Sequence, residues 1–582
     1  MELYDPPIAD YHFLLADVLD FDAQMAELKK EIDTDLACAV LKEAGKFCAQ
    51  TLQPWNRSGD EEGSNLVDGQ VITPPGFKES YREFTAGGWT SLSASPEYGG
   101  QGLPFILQLW LDEMLSASNI SFQLVPGLSR GAAEAITTHA SDALKAIYLP
   151  RLVSGEWTGA MALTESGAGT DLALLNTKAT PKGDGSYMVS GQKIFISTGD
   201  HDFGGNVIHL VLARLPDAPE GVKGISLFLV PKFLVNDDGT LGQRNSMSVG
   251  SLEEKMGIHA QPTCVMNYDN ATGWLVGEPN RGLMAMFTMM NAERLMVGIQ
   301  GLGIAGAAYG QAVGYARERL QGRSADGTRS PVAIIEHADV RRMLLNVRSF
   351  VEAGRALAGW VALQMDRAHH HPDVDERARA DGLVALLTPV VKAGFTDFGF
   401  ESAVQAQQVF GGHGYIREWG MEQYVRDVRI AQIYEGTNGV QAMDLVGRKL
   451  SLAGGAVVED FFSMVEAELV AAGSGQDAAG VSAKSLEALA LLRAATAGLK
   501  NADVDMLGAA AVDYLRLFAL VTFGWMWARM ASAASGQSTP FHLAKQDVAR
   551  FFANRVLPQV HGLARQIEAG AEPVMALDVG AF

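Results

Sequence analysis

Hydrophobic and polar positions change their period twice along this chain of 582 residues. Val40, Leu41, Ala44, Phe47 and Cys48 recur at helical spacing and predict a first helix. Segments 105–118 and 130–153 continue the pattern, with a break expected near Pro126 and Gly127, because proline supplies no N–H to the ladder. Near Trp157 the texture shifts to short β-like runs, at 160–163, 187–189, 193–196, 207–213, 225–230 and 264–268. The cluster Lys182-Gly183-Asp184-Gly185 reads as a hairpin turn. From about 280 the period is helical again. A further helical stretch is set off by Ala453-Gly454-Gly455-Ala456 and by loop-like residues 472–480. Ahead of all this, Tyr11, Phe13, Leu14, Leu15 and Phe21 anchor a leader. The pattern predicts a leader (1–35), a helical domain (36–158), a central β domain (159–278), a helical bundle (279–450) and a helical extension (451–582). The fold class expected is therefore α+β and multidomain.

Bulk properties narrow the chemistry. A composition of 48% hydrophobic and 19% charged residues is that of a soluble globular protein, and a net charge of −21 argues against nucleic acid or an anionic membrane surface as partner. An anionic small ligand stays open, since a few local arginines decide that. Cys38, Cys48 and Cys264 are too few and too scattered for a disulfide framework or a zinc site, so a reducing, cytoplasmic compartment is expected. The start, Met1-Glu2-Leu3-Tyr4-Asp5, lacks the basic-then-apolar pattern of a signal peptide. The apolar run 517–528, bracketed by Arg516 and Arg529, is too short to span a bilayer and predicts a buried or subunit-facing helix, with no membrane insertion.

Two motifs mislead. Gly301-Leu302-Gly303-Ile304-Ala305-Gly306 matches a dinucleotide-binding pattern, but no βαβ unit surrounds it, and close helix packing through small residues is the better reading. His369-His370-His371-Pro372 reads as an exposed interhelical loop rather than a metal site.

Four segments carry chemistry. Met161-Ala162-Leu163-Thr164-Glu165-Ser166-Gly167-Ala168-Gly169-Thr170-Asp171 leaves a strand for a glycine-rich loop able to offer N–H groups and hydroxyls to a polar cofactor. Gly191-Gln192-Lys193-Ile194-Phe195-Ile196-Ser197-Thr198-Gly199 places an aromatic and a hydroxyl two apart, on one face of a strand, as one side of a flat heterocycle would require. Gln408-Val409-Phe410-Gly411-Gly412-His413-Gly414-Tyr415 is glycine-rich again. Ile433-Tyr434-Glu435-Gly436-Thr437-Asn438-Gly439 sets a glutamate between an aromatic and a glycine, at the end of an apolar run. The glycine lets a ligand approach the backbone, and apolar neighbours would raise the carboxyl toward a useful base.

In order and spacing these four segments resemble the acyl-CoA dehydrogenase family over roughly residues 40 to 450. The leader and extension resemble its longer bacterial branch, which includes 3-methylmercaptopropionyl-CoA dehydrogenases. The resemblance implies an N-terminal helical domain, a central β-barrel or sheet domain, a C-terminal four-helix bundle and an FAD cofactor. It implies flavin contacts from Met161, Leu163, Thr164, Gly169 and Thr170, with Thr170 also reaching acyl-CoA. Phe195 and Ser197 stand where the family usually has Trp and Thr beside the flavin. Arg319 resembles the arginine reaching the FAD pyrophosphate of a neighbouring subunit, Gln408, Gly411 and Gly412 resemble adenine-side contacts across that interface, and Thr437 follows as a further contact. A shared FAD site implies an oligomer, and the extension favours a homodimer. Departures fall at Gln321-Gly322-Arg323-Ser324-Ala325-Asp326-Gly327, where the family has a shorter Phe-Gly connection, at Ala338 and at Gly439.

The reaction implied is α,β-desaturation of an acyl-CoA thioester. Glu435 removes the α proton, the β hydride passes to the flavin, and hydrogen bonds to the thioester oxygen, including the Glu435 N–H, stabilise the enolate charge. Electrons would pass on to an electron-transfer flavoprotein. A rival base is Glu293, in Asn291-Ala292-Glu293-Arg294, the position a minority of relatives use; Arg294 and Asn291 match residues near the CoA moiety. Met284, Met286, Met289 and Met290 line either an acyl pocket or plain core. Alternatives left open are a fatty acyl-CoA dehydrogenase of β-oxidation, an acyl-CoA oxidase and a non-catalytic flavoprotein of the same fold.

Overall fold

A computed structural model describes residues 3–475 and 478–582. Met1 and Glu2, and Gln476 and Asp477 within the expected 472–480 loop, lie outside the described residues. The chain divides into two compact units. One comprises Lys46–Leu103 and Ser118–Met296; the other comprises Met1–Gly45, Pro104–Ala117 and Val297–Phe582.

The first unit is built on seven strands: β1 (Trp157–Ala162), β2 (Lys178–Pro181), β3 (Tyr187–Ser197), β4 (Asn206–Arg214), β5 (Ile225–Pro231), β6 (Met247–Leu252) and β7 (Thr263–Val276). β7 pairs with β3, β3 with β2, β2 with β4, β4 with β5 and β5 back with β7, which closes a five-stranded ring. β1 adds to β4 in parallel and β6 adds to β7. Closure leaves none of the five ring strands as an edge over its paired length. β4 explains how the ring is covered on both faces. Val211 and Ala213 join the cluster with Val189, Phe228 and Met266, whereas Leu210 and Leu212 join one with Leu128, Ile136, Leu227 and Met286. Alternate side chains of a strand bury in opposite directions, so a nearly continuous apolar run results.

The Lys182–Gly185 turn does join two antiparallel strands, since Pro181 pairs with Tyr187. The runs 187–189 and 193–196, expected as separate strands, are one strand. β2 and β6 gave no pattern, because both carry mainly polar or exposed positions. The helical break also differs from expectation. Helix Phe105–His139 departs from helical geometry at Asn119, not at Pro126 or Gly127. The Asn119 side chain restarts the helix by accepting from the Phe122 N–H at 3.1 Å. Gly127 serves packing instead: a Cβ there would lie 1.9 Å from the Met296 sulfur.

The second unit is helical. Helices Ala338–His370, Val374–Pro389, Phe395–Val409 and Asn438–Gly447 are followed by Ala456–Ala472, Ala479–Leu499, Val504–Ala533, Pro540–Phe551 and Gln559–Glu568. Residues Leu517 to Ala528 of Val504–Ala533 are all buried within the chain itself, and the bracketing Arg516 and Arg529 pair with Glu401 and Glu468. Gly301 and Gly303 are contact points between helices, since a Cβ would come within 2.5 Å of the Phe395 and Glu113 carbonyls respectively. The leader anchors Tyr11, Phe13, Leu14, Leu15 and Phe21 are buried. His371 corrects the expected exposed loop: it is buried, and its Nε2 lies 2.9 Å from Glu27.

Candidate active site

The sequence-derived candidates divide between the units. Met161, Leu163, Thr164, Gly169, Thr170, Phe195, Ser197, Asn291, Glu293 and Arg294 belong to the barrel unit. Arg319, Gln408, Gly411, Gly412, Glu435 and Thr437 belong to the helical unit.

In the barrel unit, residues 161–171 run off the end of β1. Ser166, Gly167, Gly169 and Thr170 are exposed, Thr164 is half-buried, and a Cβ on Gly167 would meet nothing within 4 Å. Phe195 is 58% exposed although it sits in a strand, and its φ is +61°. That conformation is unfavourable for an aromatic residue and persists only where the surroundings enforce it. The enforcing feature is a bulge: the pairing with β7 shifts register between Cys264 and Met266. Phe195 and Ser197 consequently flank buried Ile196 on the accessible side. An exposed ring, accessible hydroxyls and open glycine backbone fit a large, flat, polar cofactor.

One contact ties these two segments together. Lys193 is fully buried, and its ammonium donates to the Leu163 carbonyl and to Glu165 Oε1, each at 2.8 Å. The same carboxylate accepts from the Thr177 N–H and hydroxyl and from the Asn176 N–H. Burial pushes Lys193 down to about 8, against the pull of Glu165. Burial acts to raise Glu165, but the Lys193 charge and the hydrogen bonds outweigh it, and its net shift is downward.

Asn291, Glu293 and Arg294 lie on helix Gly282–Glu318. Glu293 and Arg294 are buried, and Arg294 Nη1 donates to Asn291 Oδ1 at 3.3 Å. A Cβ on Gly131 would come within 2.5 Å of Glu293 Oε1, so the missing side chain there makes room for this carboxylate. Met286 and Met289 belong to the unit's core, whereas Met284 is exposed.

In the helical unit Glu435 is half-buried and left-handed at φ +55°, followed by Gly436 at φ +84°. Thr437 then caps helix Asn438–Gly447, its hydroxyl oxygen accepting from the Val440 N–H at 3.3 Å. Two buried side chains hold the turn. Gln441 donates to the Glu435 carbonyl at 3.1 Å, and Lys392 donates to the Gly436 carbonyl at 2.8 Å and to Asn438 Oδ1 at 2.9 Å. Asp397 receives the amides of Gln432 and Asn438 at 2.6 and 2.7 Å; burial nevertheless keeps its carboxyl above the ordinary range. The Tyr434 hydroxyl donates to Gln300 Oε1. Ile433, expected to shield the glutamate, is instead 45% exposed.

Arg319 lies exposed just past helix Gly282–Glu318, and Gln408, Gly411 and Gly412 lie exposed at the end of helix Phe395–Val409. Tyr315 links them. Its ring stacks on Phe410 at 4.1 Å, and its hydroxyl lies 2.9 Å from His413 Nδ1, while His413 stacks on Trp419 at 4.4 Å. Residues that position these candidates (Lys193, Lys392, Tyr315, His413) were passed over in the sequence. Lys193 and His413 stand inside motifs and Tyr315 just before Arg319, whereas Lys392 stands apart from them; burial or stacking reveals what each does.

Comparison with known proteins gives this geometry its context. Models of the acyl-CoA dehydrogenase N-terminal, middle and C-terminal domains match residues 34–156, 160–271 and 280–450, and an acetyl-CoA dehydrogenase C-terminal-like model matches 461–578. The chain belongs to the acyl-CoA dehydrogenase family. It is similar to the 3-methylmercaptopropionyl-CoA dehydrogenase of Ruegeria pomeroyi, with 42% identity covering 99% of this chain and 98% of that one. A broad-specificity linear acyl-CoA dehydrogenase of Mycobacterium tuberculosis is 30% identical over the whole of both chains. An acyl-CoA dehydrogenase from Bacillus anthracis, solved with FAD, shares the fold with a TM-score of 0.73 at 18% identity, covering 96% of this chain and 92% of that one. This acyl-CoA dehydrogenase is thus an oxidoreductase acting on the CH–CH bond of an acyl-CoA, with FAD as cofactor.

Proposed function

We propose that this acyl-CoA dehydrogenase desaturates 3-methylmercaptopropionyl-CoA to methylthioacryloyl-CoA and passes the electrons to an electron-transfer flavoprotein. The observation that carries the substrate is the end-to-end similarity to the Ruegeria pomeroyi enzyme, leader and extension included. Residues 161–170 with Phe195 and Ser197 would hold the flavin, and Arg294 and Asn291 the CoA moiety. FAD, when bound, accepts the hydride from the β carbon. Glu435 removes the α proton. A free carboxylate is too weak a base for an α C–H, so the thioester oxygen needs donors aimed at its developing charge, among them the Glu435 N–H. The left-handed turn at Glu435 supports this reading: a conformation an acidic residue rarely adopts is locked here by two buried side chains.

A second reading takes a linear fatty acyl-CoA of β-oxidation as substrate, which the full-length similarity to the Mycobacterium tuberculosis enzyme favours. Anaerobic flavin bleaching across short, medium, long and thioether-containing acyl-CoAs separates the two. The thioether substrate should bleach fastest, and a preference for long unsubstituted chains would overturn the assignment. Peroxide release by reduced enzyme in air would identify an oxidase instead. We place the enzyme in the cytoplasm as a homodimer with FAD shared between subunits. The exposure of Arg319, Gln408, Gly411, Gly412 and 85%-exposed Tyr415 on the helical unit supports the shared site.

A further inference from the structure

We propose that Lys193 is a positioning residue: through its buried ion pair with Glu165 it clamps the 161–171 loop to strand β3, so that the loop hydroxyls and the Phe195 ring are presented to the flavin as one rigid surface. This rests on the reading of that loop as the flavin loop. The geometry carries it from three sides. Lys193 lies two residues before Phe195, and the bulge between them leaves Lys193 fully enclosed where Phe195 is exposed. Its two acceptors, the Leu163 carbonyl and Glu165 Oε1, flank Thr164, whose carbonyl in turn accepts from the Ile194 N–H at 2.9 Å. Glu165 also closes the far end of the loop, because Asn176 and Thr177, which lie beyond its exit, donate to the same carboxylate. One carboxylate and one ammonium therefore fix the entry of the loop, its exit and the bulged strand that exposes Phe195. A fully enclosed lysine with no such task would be replaced by an apolar side chain at lower desolvation cost.

Lys193 faces Glu165 as its charged neighbour, with Thr177 and Asn176 completing the carboxylate's shell. Its ammonium loses the proton at about 8 in the folded protein, below the ordinary lysine value. Between those two values the unfolded chain binds more protons than the folded one, so deprotonation of Lys193 does not itself lower global stability. What is lost above pH 8 is the attraction to Glu165. The clamp should loosen locally while this group leaves the melting temperature undiminished, a signature that general core damage would not produce.

The test uses the full-length holoenzyme and two readouts: FAD release on dilution, followed by flavin fluorescence, and amide exchange of residues 162–171. Glu165→Gln keeps the shape and removes the charge; Lys193→Met removes the donor. We expect each to speed FAD release about tenfold at pH 7 and to accelerate loop exchange. In the unaltered protein FAD release, and loop exchange corrected for its base-catalysed intrinsic rate, should both rise as pH passes 8, and in Glu165→Gln that rise should vanish. Because the pH series needs no substitution, it decides the matter even if Lys193→Met fails to fold. Loop protection, taken relative to the intrinsic exchange rate, unchanged in Glu165→Gln and flat from pH 7 to 9 would overturn the role of Lys193. Faster loop exchange with unchanged FAD release would instead overturn the assignment of the loop to the flavin.

Discussion

The buried ammonium of Lys392 donates at 2.8 Å to the carbonyl of Gly436, the residue that follows Glu435. Backbone in the left-handed region at two successive positions is held from outside the turn, and Gln441 supplies the second hold through the Glu435 carbonyl. The Glu435 turn is thereby held by two side chains that belong to neither of the candidate bases.

Removing that hold should displace the carboxylate without abolishing the site. Lys392→Met is expected to lower kcat about 10- to 100-fold, the order of loss a misplacement near 1 Å produces, with KM little changed. Steady-state kinetics at matched FAD content check this. Two carbonyl-type acceptors lose their donor, and urea unfolding should show a loss of about 1–3 kcal/mol.

His201 and His209 give the barrel unit an acid limit. Both are fully enclosed. His201 Nε2 lies 2.7 Å from the Thr158 hydroxyl, and His209 lies 2.8 Å from both the Tyr268 hydroxyl and the Gly199 carbonyl. Burial pushes each imidazole down to about 4. Because the folded value lies below the unfolded one, near 6.5, the unfolded chain binds more protons between the two. Stability is therefore full above pH 6.5 and is lost as pH falls toward 4, by about 3 kcal/mol for each histidine. Denaturant melts at pH 7 and pH 5 should show this slope, and His209→Gln should remove part of it.

Arg355 should be among the costliest positions in the helical unit. It donates to Glu113 at 2.6 and 2.9 Å and also pairs with Asp10, while Lys545 pairs with Asp10 and, at 2.8 Å, with Glu352. Leader, bundle and extension thus share one buried set of charges. Arg355→Met leaves Glu113 without its guanidinium in the interior, and a loss of about 3–5 kcal/mol is expected in equilibrium unfolding.

How much of this could be read beforehand follows from what each residue type signals alone. The change of period near Trp157 and again near 280 was legible because strands and helices bury different spacings, and the Lys182–Gly185 turn was legible from its glycines. The break at Asn119 was not, because Pro126 carries the stronger local signal, yet the asparagine side chain restarts the helix upstream of it. Nor was β2 legible, since only one of its four side chains is buried. Around the site, Glu435 and Phe195 stood out by type and neighbours. Their left-handed backbone did not, because it is enforced by Lys392 and the register shift against β7, both distant in sequence, and by Gln441, whose side-chain direction the sequence does not reveal. Buried lysines such as Lys193 and Lys392 look like solvated charges until their acceptors are known.

Glu435 as the α-proton base is tested most directly by Glu435→Gln, set beside Glu293→Gln, in anaerobic single-turnover flavin bleaching with 3-methylmercaptopropionyl-CoA. Both variants should retain FAD. Glu435→Gln should slow bleaching about 10²–10⁴-fold, the share a positioned general base supplies, while Glu293→Gln should stay within a few-fold of the unaltered enzyme. Unimpaired bleaching in Glu435→Gln together with its loss in Glu293→Gln would contradict the account.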